Sequence, residues 1–266
     1  MSFSLIKAPN GVEYLRSDII SVPHGFSTRI GGVSQAEHTK SLNLAFGRGD
    51  DRETVLENLR LFSSAVGIDA KSIVSRHQIH SPTVIYADEK MCGEGYFTET
   101  SEGCDGYVTD RKGVTLGVKT ADCVPILFSD ADAHVIGAVH AGWRGTASEI
   151  AAECIKKMVG LGADVGKIRV AIGAAIHYCC YEVGEDFFAS VRTLTGAHIA
   201  EKFIRLERGK LHADIVGMNR HLLLESGITE SHIDVCEYCT ACNPSLFYSH
   251  RYSHGVRGTM LSVISL

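Results

Sequence analysis

The chain has 266 residues, 45% of them hydrophobic and 21% charged, with a formal net charge of −5. This composition is typical of a globular protein, and a mildly acidic chain without a long basic run argues against a nucleic-acid-binding surface. No segment approaches the roughly 18 apolar residues of a membrane span, and the N-terminal residues lack the apolar core of a secretory signal. We therefore expect a cytoplasmic protein whose nine cysteines are reduced and serve metal binding or catalysis rather than disulfides.

Turn signals are spread along the whole chain, and no repeat, low-complexity tract or linker interrupts it. Glycine is frequent, at 27 residues, and proline is scarce, at five. Strands at hairpin spacing are mixed with a few separated helices. This favours an α+β architecture of mixed and antiparallel sheets flanked by helices over a doubly wound parallel sheet. We predict a single domain over residues 1–266.

Four helices are predicted from capping residues and from apolar positions that share one face. Asp51 predicts the start of the first helix, and Gly67 predicts its end. The capping-box pattern Thr-Ala-Ser-Glu at 146–149 predicts the start of the second, which ends near Gly160. The predicted helices, in chain order, cover about 51–67, 146–160, 186–194 and 214–227.

Strands are predicted where short apolar runs end at turn residues. In chain order these runs are 72–79, 83–87, 107–109, 114–118, 124–128, 135–139, 168–172 and 260–264. The runs 124–128 and 135–139 flank the polar turn Ser-Asp-Ala-Asp-Ala, so we expect them to form a hairpin.

In this hairpin we expect a thiol and an imidazole to lie next to each other. If the pairing is symmetric about the turn, Phe128 faces Val135 and Cys123 faces His140. Directly opposed residues of antiparallel strands have Cβ atoms roughly 4.5–5.5 Å apart. Such a pair suits a shared metal ion or a Cys–His nucleophile. The contact depends on the register, because a slip of one residue puts the two side chains on opposite faces.

A histidine elsewhere in the chain is another candidate for a functional residue. His80 ends the predicted strand 72–79, just before a Ser-Pro turn, and His77 lies three residues earlier. An odd separation on a strand sends the two rings to opposite faces, so they do not chelate together. We expect His80, at the strand end, to reach a site in a cleft.

The other cysteines fall in two groups. Cys236, Cys239 and Cys242 have a spacing that can supply half of a zinc or iron–sulfur site, whereas the adjacent Cys179 and Cys180 have the wrong spacing for a knuckle. We expect reduced cysteines packed near the site rather than a structural metal.

Polar loops with paired glycines, around 26–34 and 41–44, allow close backbone approach to a ligand. Arg29, Arg48 and Arg144 are candidates for binding an anion such as phosphate, because a guanidinium group matches its oxygens in a bidentate way.

Motifs spread in order over nearly the whole chain resemble the YfiH/YlmD family, also called the laccase-domain or multicopper polyphenol oxidase family. The matching segments are Gly-Phe-Ser-Thr-Arg at 25–29, Gly-Gly-Val-Ser at 31–34, Ser-Leu-Asn-Leu at 41–44, His-Gln-Ile-His-Ser at 77–81, Asp-Gly-Tyr-Val-Thr at 105–109, Thr-Ala-Asp-Cys-Val-Pro at 120–125, His-Ala-Gly-Trp-Arg-Gly-Thr at 140–146, Cys-Tyr-Glu-Val-Gly at 180–184, Asn-Arg at 219–220, Cys-Thr at 239–240 and Phe-Tyr-Ser-His-Arg at 247–251.

The resemblance implies a layered α/β domain similar to the catalytic domain of cytotoxic necrotizing factor. It also implies that His80, Cys123 and His140 bind one zinc ion. The implied activities are phosphorolysis of adenosine, inosine and methylthioadenosine to free base and (methylthio)ribose 1-phosphate, together with adenosine deamination. An older label for the family implies copper-dependent oxidation of phenols, and some bacterial members carry a role in peptidoglycan-precursor editing. The chain has no His-X-His motif of the kind that multicopper sites use.

Within this resemblance, Asp122 is the candidate proton shuttle, and Arg29, Asn43, Arg48 and Arg144 are the candidates for binding phosphate and substrate. The expected partners are purine nucleosides and phosphate, and the expected state is a monomer or small homo-oligomer. A metal-free hydrolase or deamidase that uses the Cys–His pair stays open as an alternative. The chain departs from the usual family pattern near its C-terminus, where Arg-Gly-Thr at 257–259 replaces a common Thr-Gly-Arg.

Overall fold

Within residues 3–266, which the computed structural model describes, the chain forms fifteen strands in three sheets and six α-helices. The strands are β1 Phe3–Lys7, β2 Glu13–Ser17, β3 His24–Ser27, β4 Ile73–Val74, β5 Val84–Tyr86, β6 Gly106–Thr109, β7 Thr115–Thr120, β8 Val124–Asp130, β9 Val135–Ala141, β10 Arg169–Ile172, β11 Glu182–Val183, β12 Ile204–Glu207, β13 Lys210–Ala213, β14 Ile233–Val235 and β15 Met260–Ser265. The helices are α1 Arg52–Val66, α2 Trp143–Ala147, α3 Ile150–Gly160, α4 Glu185–Thr195, α5 Ala197–Phe203 and α6 Ile215–Glu225.

Two six-stranded sheets carry most of the structure. The first has the order β1-β2-β3-β15-β7-β4 and the second has the order β14-β10-β8-β9-β6-β5, while β11-β13-β12 form a small third sheet. Most neighbours are antiparallel, and the pairs β4–β7, β5–β6 and β10–β14 are parallel. The predicted α+β class with mixed and antiparallel sheets is therefore confirmed. In the described part of the chain, no helix has the length and apolar character needed to cross a membrane.

The hydrophobic core is layered. Side chains of the first sheet such as Leu116 pack between the sheets against Leu127 and Ala138 of the second. The other face of the second sheet packs on α3 and α6, and the other face of the first packs on α1. Every residue of β8 and β9 is buried, because these central strands are covered on both faces. Their near-continuous apolar runs in the sequence reflect this burial.

The helix prediction is confirmed for α1, where the Asp51 side chain accepts a hydrogen bond from the N–H of Thr54 and Gly67 ends the helix in the left-handed region. The predicted start of the second helix is wrong. Thr146 belongs to the short helix α2, and Glu149 adopts a left-handed conformation before α3 starts at Ile150.

The helices predicted at 186–194 and 214–227 are confirmed as α4 and α6. The strand predicted over 72–79 is wrong beyond Val74, because β4 ends there and His77 makes only an isolated bridge to Gly103. The sequence prediction missed the strands β1, β2, β3, β11, β12, β13 and β14 and the helix α5.

The predicted hairpin exists as β8 and β9, but its register is wrong by two residues. Phe128 pairs with Gly137 rather than with Val135. The turn is tighter than expected because the Asp130 side chain accepts hydrogen bonds from the N–H groups of two turn residues. A shift of two residues keeps each side chain on its predicted face.

Candidate metal centre

Three side chains converge at the open end of this hairpin. The ligand atoms of His80, Cys123 and His140 all lie within 4.8 Å of one another. Cys123 directly precedes β8, His140 lies near the end of β9, and His80 comes from the loop before β5. The two imidazole rings meet edge to face, with centroids 4.8 Å apart. The structure thus places together the three residues that the resemblance names as metal ligands.

A glycine makes room for this arrangement. Continuing the observed register puts Gly142, rather than His140, opposite Cys123. A Cβ atom at Gly142 would lie 3.0 Å from Cδ2 of His80 and 3.5 Å from the Sγ of Cys123. Any larger side chain here would therefore push the ligands apart.

Asp105 holds two of the three candidate ligands in place. Its carboxylate accepts a hydrogen bond of 2.8 Å from Nδ1 of His140 and also accepts the backbone N–H groups of Ile79, His80 and Ser81. The bond to Nδ1 leaves the Nε2 lone pair of His140 free for a ligand. Sequence reasoning quoted Asp105 only as part of a motif and gave it no role in the site.

In the metal-free protein, the electrostatics favour a Cys123 thiolate paired with a protonated His140. Burial opposes ionisation of Cys123, but the neighbouring His140 and His80 rings outweigh it and lower the pKa of the thiol to about 6. Burial also disfavours protonated His140, but the Cys123 charge and the hydrogen bond to Asp105 raise its pKa to about 9. The pKa of Asp105 is lowered, because its hydrogen bonds to His140 and the backbone outweigh the effect of burial.

This donor set fits a divalent metal ion. Zinc bonds of about 2.0–2.1 Å to nitrogen and 2.3 Å to sulfur need donors spaced as closely as these. The carboxylate–histidine contact is the outer-shell arrangement that orients metal-bound imidazoles in proteins. Three protein ligands would also leave a fourth tetrahedral position open, which distinguishes catalytic from structural zinc sites.

The candidate centre lies between two cavities that share His80, Cys123 and Arg257 in their linings. The first, of about 280 Å³, is lined by cationic side chains including Arg48 and Lys119. The second, of about 440 Å³, has a more apolar wall, formed with Trp143, Arg144, Ile176, Tyr181, Ile215 and Arg251. A ligand placed at the centre can therefore reach two cavities that are both lined by arginines, of which the second also has aromatic side chains.

Asp122 lies beside the centre with both carboxylate oxygens engaged. One accepts from the Oγ1 of Thr240 at 2.6 Å, and the other accepts from the N–H of Arg251 at 2.7 Å. Its backbone is left-handed, with a φ of 92°. These bonds tie the start of β8 to the C-terminal loops, so the structure gives Asp122 an anchoring contact.

The four residues predicted to bind phosphate and substrate divide into two pairs by their position in the structure. Arg48 and Arg144 line the cavities. Arg29 lines neither cavity, and its guanidinium donates to the backbone carbonyls of Lys40 and Pro244. Asn43 is fully buried, and its side chain donates to the carbonyl of Ala45 and to Asp50 and accepts from the N–H of Thr259.

Sequence reasoning did not name as site residues three cations that line the first cavity, Arg76, Lys119 and Arg257, of which the last two have pKa values lowered by burial. Burial, with a further contribution from Arg48, lowers the pKa of Arg257 to about 10, and its Nε atom is buried without a hydrogen-bond partner. Burial lowers the pKa of Lys119 to about 8. Arg257 was noted only as a departure from the family pattern, and that departure was the available signal.

Two packed sheets with a His–Cys–His donor set at the head of a hairpin define an α+β protein with a candidate metal site. The sequence profile described as multi-copper polyphenol oxidoreductase laccase matches residues 23–266. The chain therefore belongs to this family, the YfiH/YlmD family that its motifs resemble.

Named relatives agree with this membership. A purine nucleoside phosphorylase of Deinococcus radiodurans is 38% identical over 256 residues, covering 96% of this chain and 94% of the relative. Adenosine deaminase RL5 of an unknown prokaryotic organism is 33% identical, covering 85% of this chain and 87% of the relative. The crystal structure of Bacillus licheniformis hypothetical protein YfiH superposes with a TM-score of 0.89 at 31% identity, covering 99% of this chain and 98% of that one. The names of the relatives support an enzyme.

Proposed function

We propose that the chain is a zinc-dependent purine nucleoside phosphorylase that acts on adenosine, inosine and methylthioadenosine. The products are the free base and ribose 1-phosphate or methylthioribose 1-phosphate. The observation that carries the proposal is the convergence of His80, Cys123 and His140 between two arginine-lined cavities, of which the second also has aromatic side chains. The name of the Deinococcus radiodurans relative supports the same reaction class.

The first cavity is suited to phosphate. Arg48 and Arg257 both line it, and the buried Nε of Arg257 lacks a partner that an anion oxygen would supply. The second cavity falls within the usual size range of small-molecule sites, roughly 300–1,000 Å³. Trp143 and Tyr181 line it, with the guanidinium groups of Arg144 and Arg251 over their rings, so arginine and aromatic side chains together form the wall that a purine would contact.

In this proposal the chain's own residues orient the reactants. The arginines hold phosphate near the ribose carbon that it attacks, and the aromatic wall positions the base as leaving group. Asp105 keeps a proton on Nδ1 of His140, which keeps Nε2 available to the centre. A bound zinc ion would supply Lewis-acid polarisation of the departing purine.

Adenosine deamination is a second activity proposed for the same site. It is favoured by the name of the RL5 relative, and the three donors His80, Cys123 and His140 would hold a zinc ion that could activate water. A metal-free Cys–His hydrolase is the competing mechanism, since the lowered pKa of Cys123 beside His140 suits a nucleophile pair.

One assay separates these possibilities. Zinc-loaded, copper-loaded and metal-free protein are each given adenosine, inosine and methylthioadenosine with and without phosphate, and free base, deaminated nucleoside and ribose 1-phosphate are measured. We expect base release that needs both zinc and phosphate. Turnover that survives metal removal and is blocked by alkylation of Cys123 would overturn the proposal in favour of the metal-free mechanism. Phenol oxidation by the copper-loaded protein, without phosphorolysis by the zinc-loaded one, would favour the oxidase.

A matched pair of variants tests the phosphate pocket. Arg257→Gln removes the cation at the cavity and should raise the KM for phosphate by about 10–100-fold, because a hydrogen bond to a charged group contributes about 1.5–3 kcal/mol. Arg16→Gln, at an exposed position of β2, should leave this KM unchanged. An equal KM for phosphate in both variants would show that Arg257 does not bind phosphate.

A further inference from the structure

Four cysteines meet at a second place in the fold. The sulfur atoms of Cys179, Cys180, Cys239 and Cys242 all lie within 4.8 Å of one another, and all four are free thiols. None of them belongs to the His80–Cys123–His140 group. Cys236, which sequence reasoning placed with Cys239 and Cys242, is buried elsewhere and is not part of this cluster.

The sulfur spacing matches a single tetrahedral ion. The Sγ of Cys180 lies 3.3 Å from that of Cys242 and 3.8 Å from that of Cys179, while Cys179 and Cys242 are 3.6 Å apart. Four zinc–sulfur bonds of about 2.3 Å in a tetrahedron place the sulfurs about 3.8 Å from each other. The cluster is therefore already close to the size of a tetrathiolate shell.

The sheet order brings the two cysteine pairs together. Strands β10 and β14 are parallel neighbours, so the segments that follow them leave from the same edge of the second sheet. These segments stay joined, because Ala175 bridges Cys239 and the N–H of Thr240 donates to the carbonyl of Ala175. The adjacent pair Cys179 and Cys180 has the wrong spacing for a knuckle by itself, but the fold brings a second pair of cysteines to it from another segment.

The cluster also has a backbone donor aimed at sulfur. The N–H of His177 donates to the Sγ of Cys239 at 3.4 Å. Cys239 is buried, whereas Cys179 and Cys242 are exposed, so one side of the cluster is anchored and the other is open to an incoming ion.

We propose that Cys179, Cys180, Cys239 and Cys242 form a second metal site of this protein, which binds one structural zinc ion. Four protein ligands complete the tetrahedral shell and leave no position for water or substrate, so this site does no chemistry. Metal sites of this kind contribute directly to folding free energy.

The zinc would brace one wall of the candidate active site. The carbonyl of Cys180 accepts from the guanidinium of Arg251, and the Oγ1 of Thr240, next to Cys239, donates to Asp122. Asp122 directly precedes Cys123. The cross-link would therefore hold the two segments that position the backbone beside Cys123.

Metal analysis of the full chain, purified under reducing conditions with zinc present, tests this site. We expect two zinc ions per chain in the unmodified protein, and one each in His80→Ala and in the Cys179→Ser/Cys242→Ser double variant. Cys92→Ser, in a half-buried cysteine outside both groups, should keep two. If the His–Cys–His centre does not bind zinc, the unmodified protein keeps one ion and the double variant keeps none, so failure of the proposed function is distinguishable.

The ligand set is tested by X-ray absorption at the zinc edge of His80→Ala. We expect four sulfur ligands at about 2.3 Å and no nitrogen. If a variant fails to fold, the unmodified protein with both sites filled should average about 2.5 sulfurs per zinc. Zinc content in the double variant equal to that of the unmodified protein, a disulfide among the four cysteines after reducing purification, or iron in place of zinc would each overturn the assignment.

Discussion

Two buried histidines at opposite ends of the sheet sandwich show how the partners of a ring decide its role. His24 and His140 are 2% and 3% exposed, and each donates its Nδ1 proton to an oxygen at 2.8 Å. For His24 that oxygen is the carbonyl of Val22, and its Nε2 accepts from the N–H of Ser17. For His140 the acceptor is a carboxylate, and its other side faces a thiol and a second imidazole.

The two rings consequently differ in charge. Burial, unopposed by a strong negative partner, lowers the pKa of His24 and keeps it neutral. Asp105 and Cys123 overcome the same burial at His140 and raise its pKa to about 9. A histidine whose two ring nitrogens both hydrogen-bond to the backbone has a structural role. A histidine with a carboxylate at one nitrogen, and with a thiol and a second imidazole near the other, can take part in binding a metal ion.

The strongest test of this difference is Cys123→Ala. It removes one candidate ligand and leaves His140 without its thiolate, so we expect loss of zinc at this centre and a decrease in kcat/KM of about 10³-fold or more, because metal polarisation contributes several kcal/mol. Zinc content and nucleoside turnover are measured together, with Cys92→Ser as control. Unchanged turnover in Cys123→Ala would show that the centre formed by His80, Cys123 and His140 does not contribute to catalysis.

A smaller effect is expected when the carboxylate partner of His140 is changed. Asp105→Asn removes the charge that orients the ring, and loss of such an outer-shell partner lowers metal affinity about 10–100-fold. Competition titration with a chelator measures this affinity. Asp132→Asn, at an exposed surface ion pair with Lys167, is the matched control and should bind zinc like the unmodified protein.

Asp122 extends the comparison to a second buried carboxylate. Asp122→Asn weakens the bonds to Thr240 and Arg251, and we expect the free energy of unfolding to fall by about 1–3 kcal/mol. As an anchor, Asp122 should leave the shape of the pH profile of kcat unchanged. A lost limb of that profile in Asp122→Asn would instead identify the proton shuttle that sequence reasoning proposed.

The smallest effect concerns His24. Its pKa is about 6.5 in the unfolded chain and lower in the folded protein, so the unfolded state binds the proton first as pH falls. Its contribution to stability is complete above about pH 6.5 and is lost with decreasing pH, by at most about 1.4 kcal/mol per pH unit.

Urea unfolding at several pH values measures this slope. His24→Asn should flatten the slope between about pH 5 and pH 7, and His198→Asn, at an exposed position, should not. An unchanged slope in His24→Asn would show that this ring does not control acid sensitivity.

Sequence reasoning was reliable where the pattern is local. The helix from Asp51 to Gly67 was predicted because its capping residues and apolar face lie within one short segment. The hairpin was found, but its register was wrong, because the turn is shortened by backbone N–H groups that donate to the Asp130 carboxylate, which apolar periodicity does not reveal. Of the strands missed at the N-terminus, β1 is partly exposed and gives a weak apolar pattern, whereas β3, of sequence His-Gly-Phe-Ser, is fully buried but has only one large apolar side chain.

The sequence by itself determined that Cys123 and His140 lie on one face of neighbouring strands, since alternation along a strand is a local property of the backbone. The resemblance of its motifs added His80 as the third ligand. Only the tertiary structure showed that Asp105 binds both histidine segments, that Arg257 reaches the cavity and that Cys179 and Cys180 meet Cys239 and Cys242. These contacts join residues far apart in the chain, and they follow from the order of strands in the sheets and the paths of the loops, which no local pattern encodes.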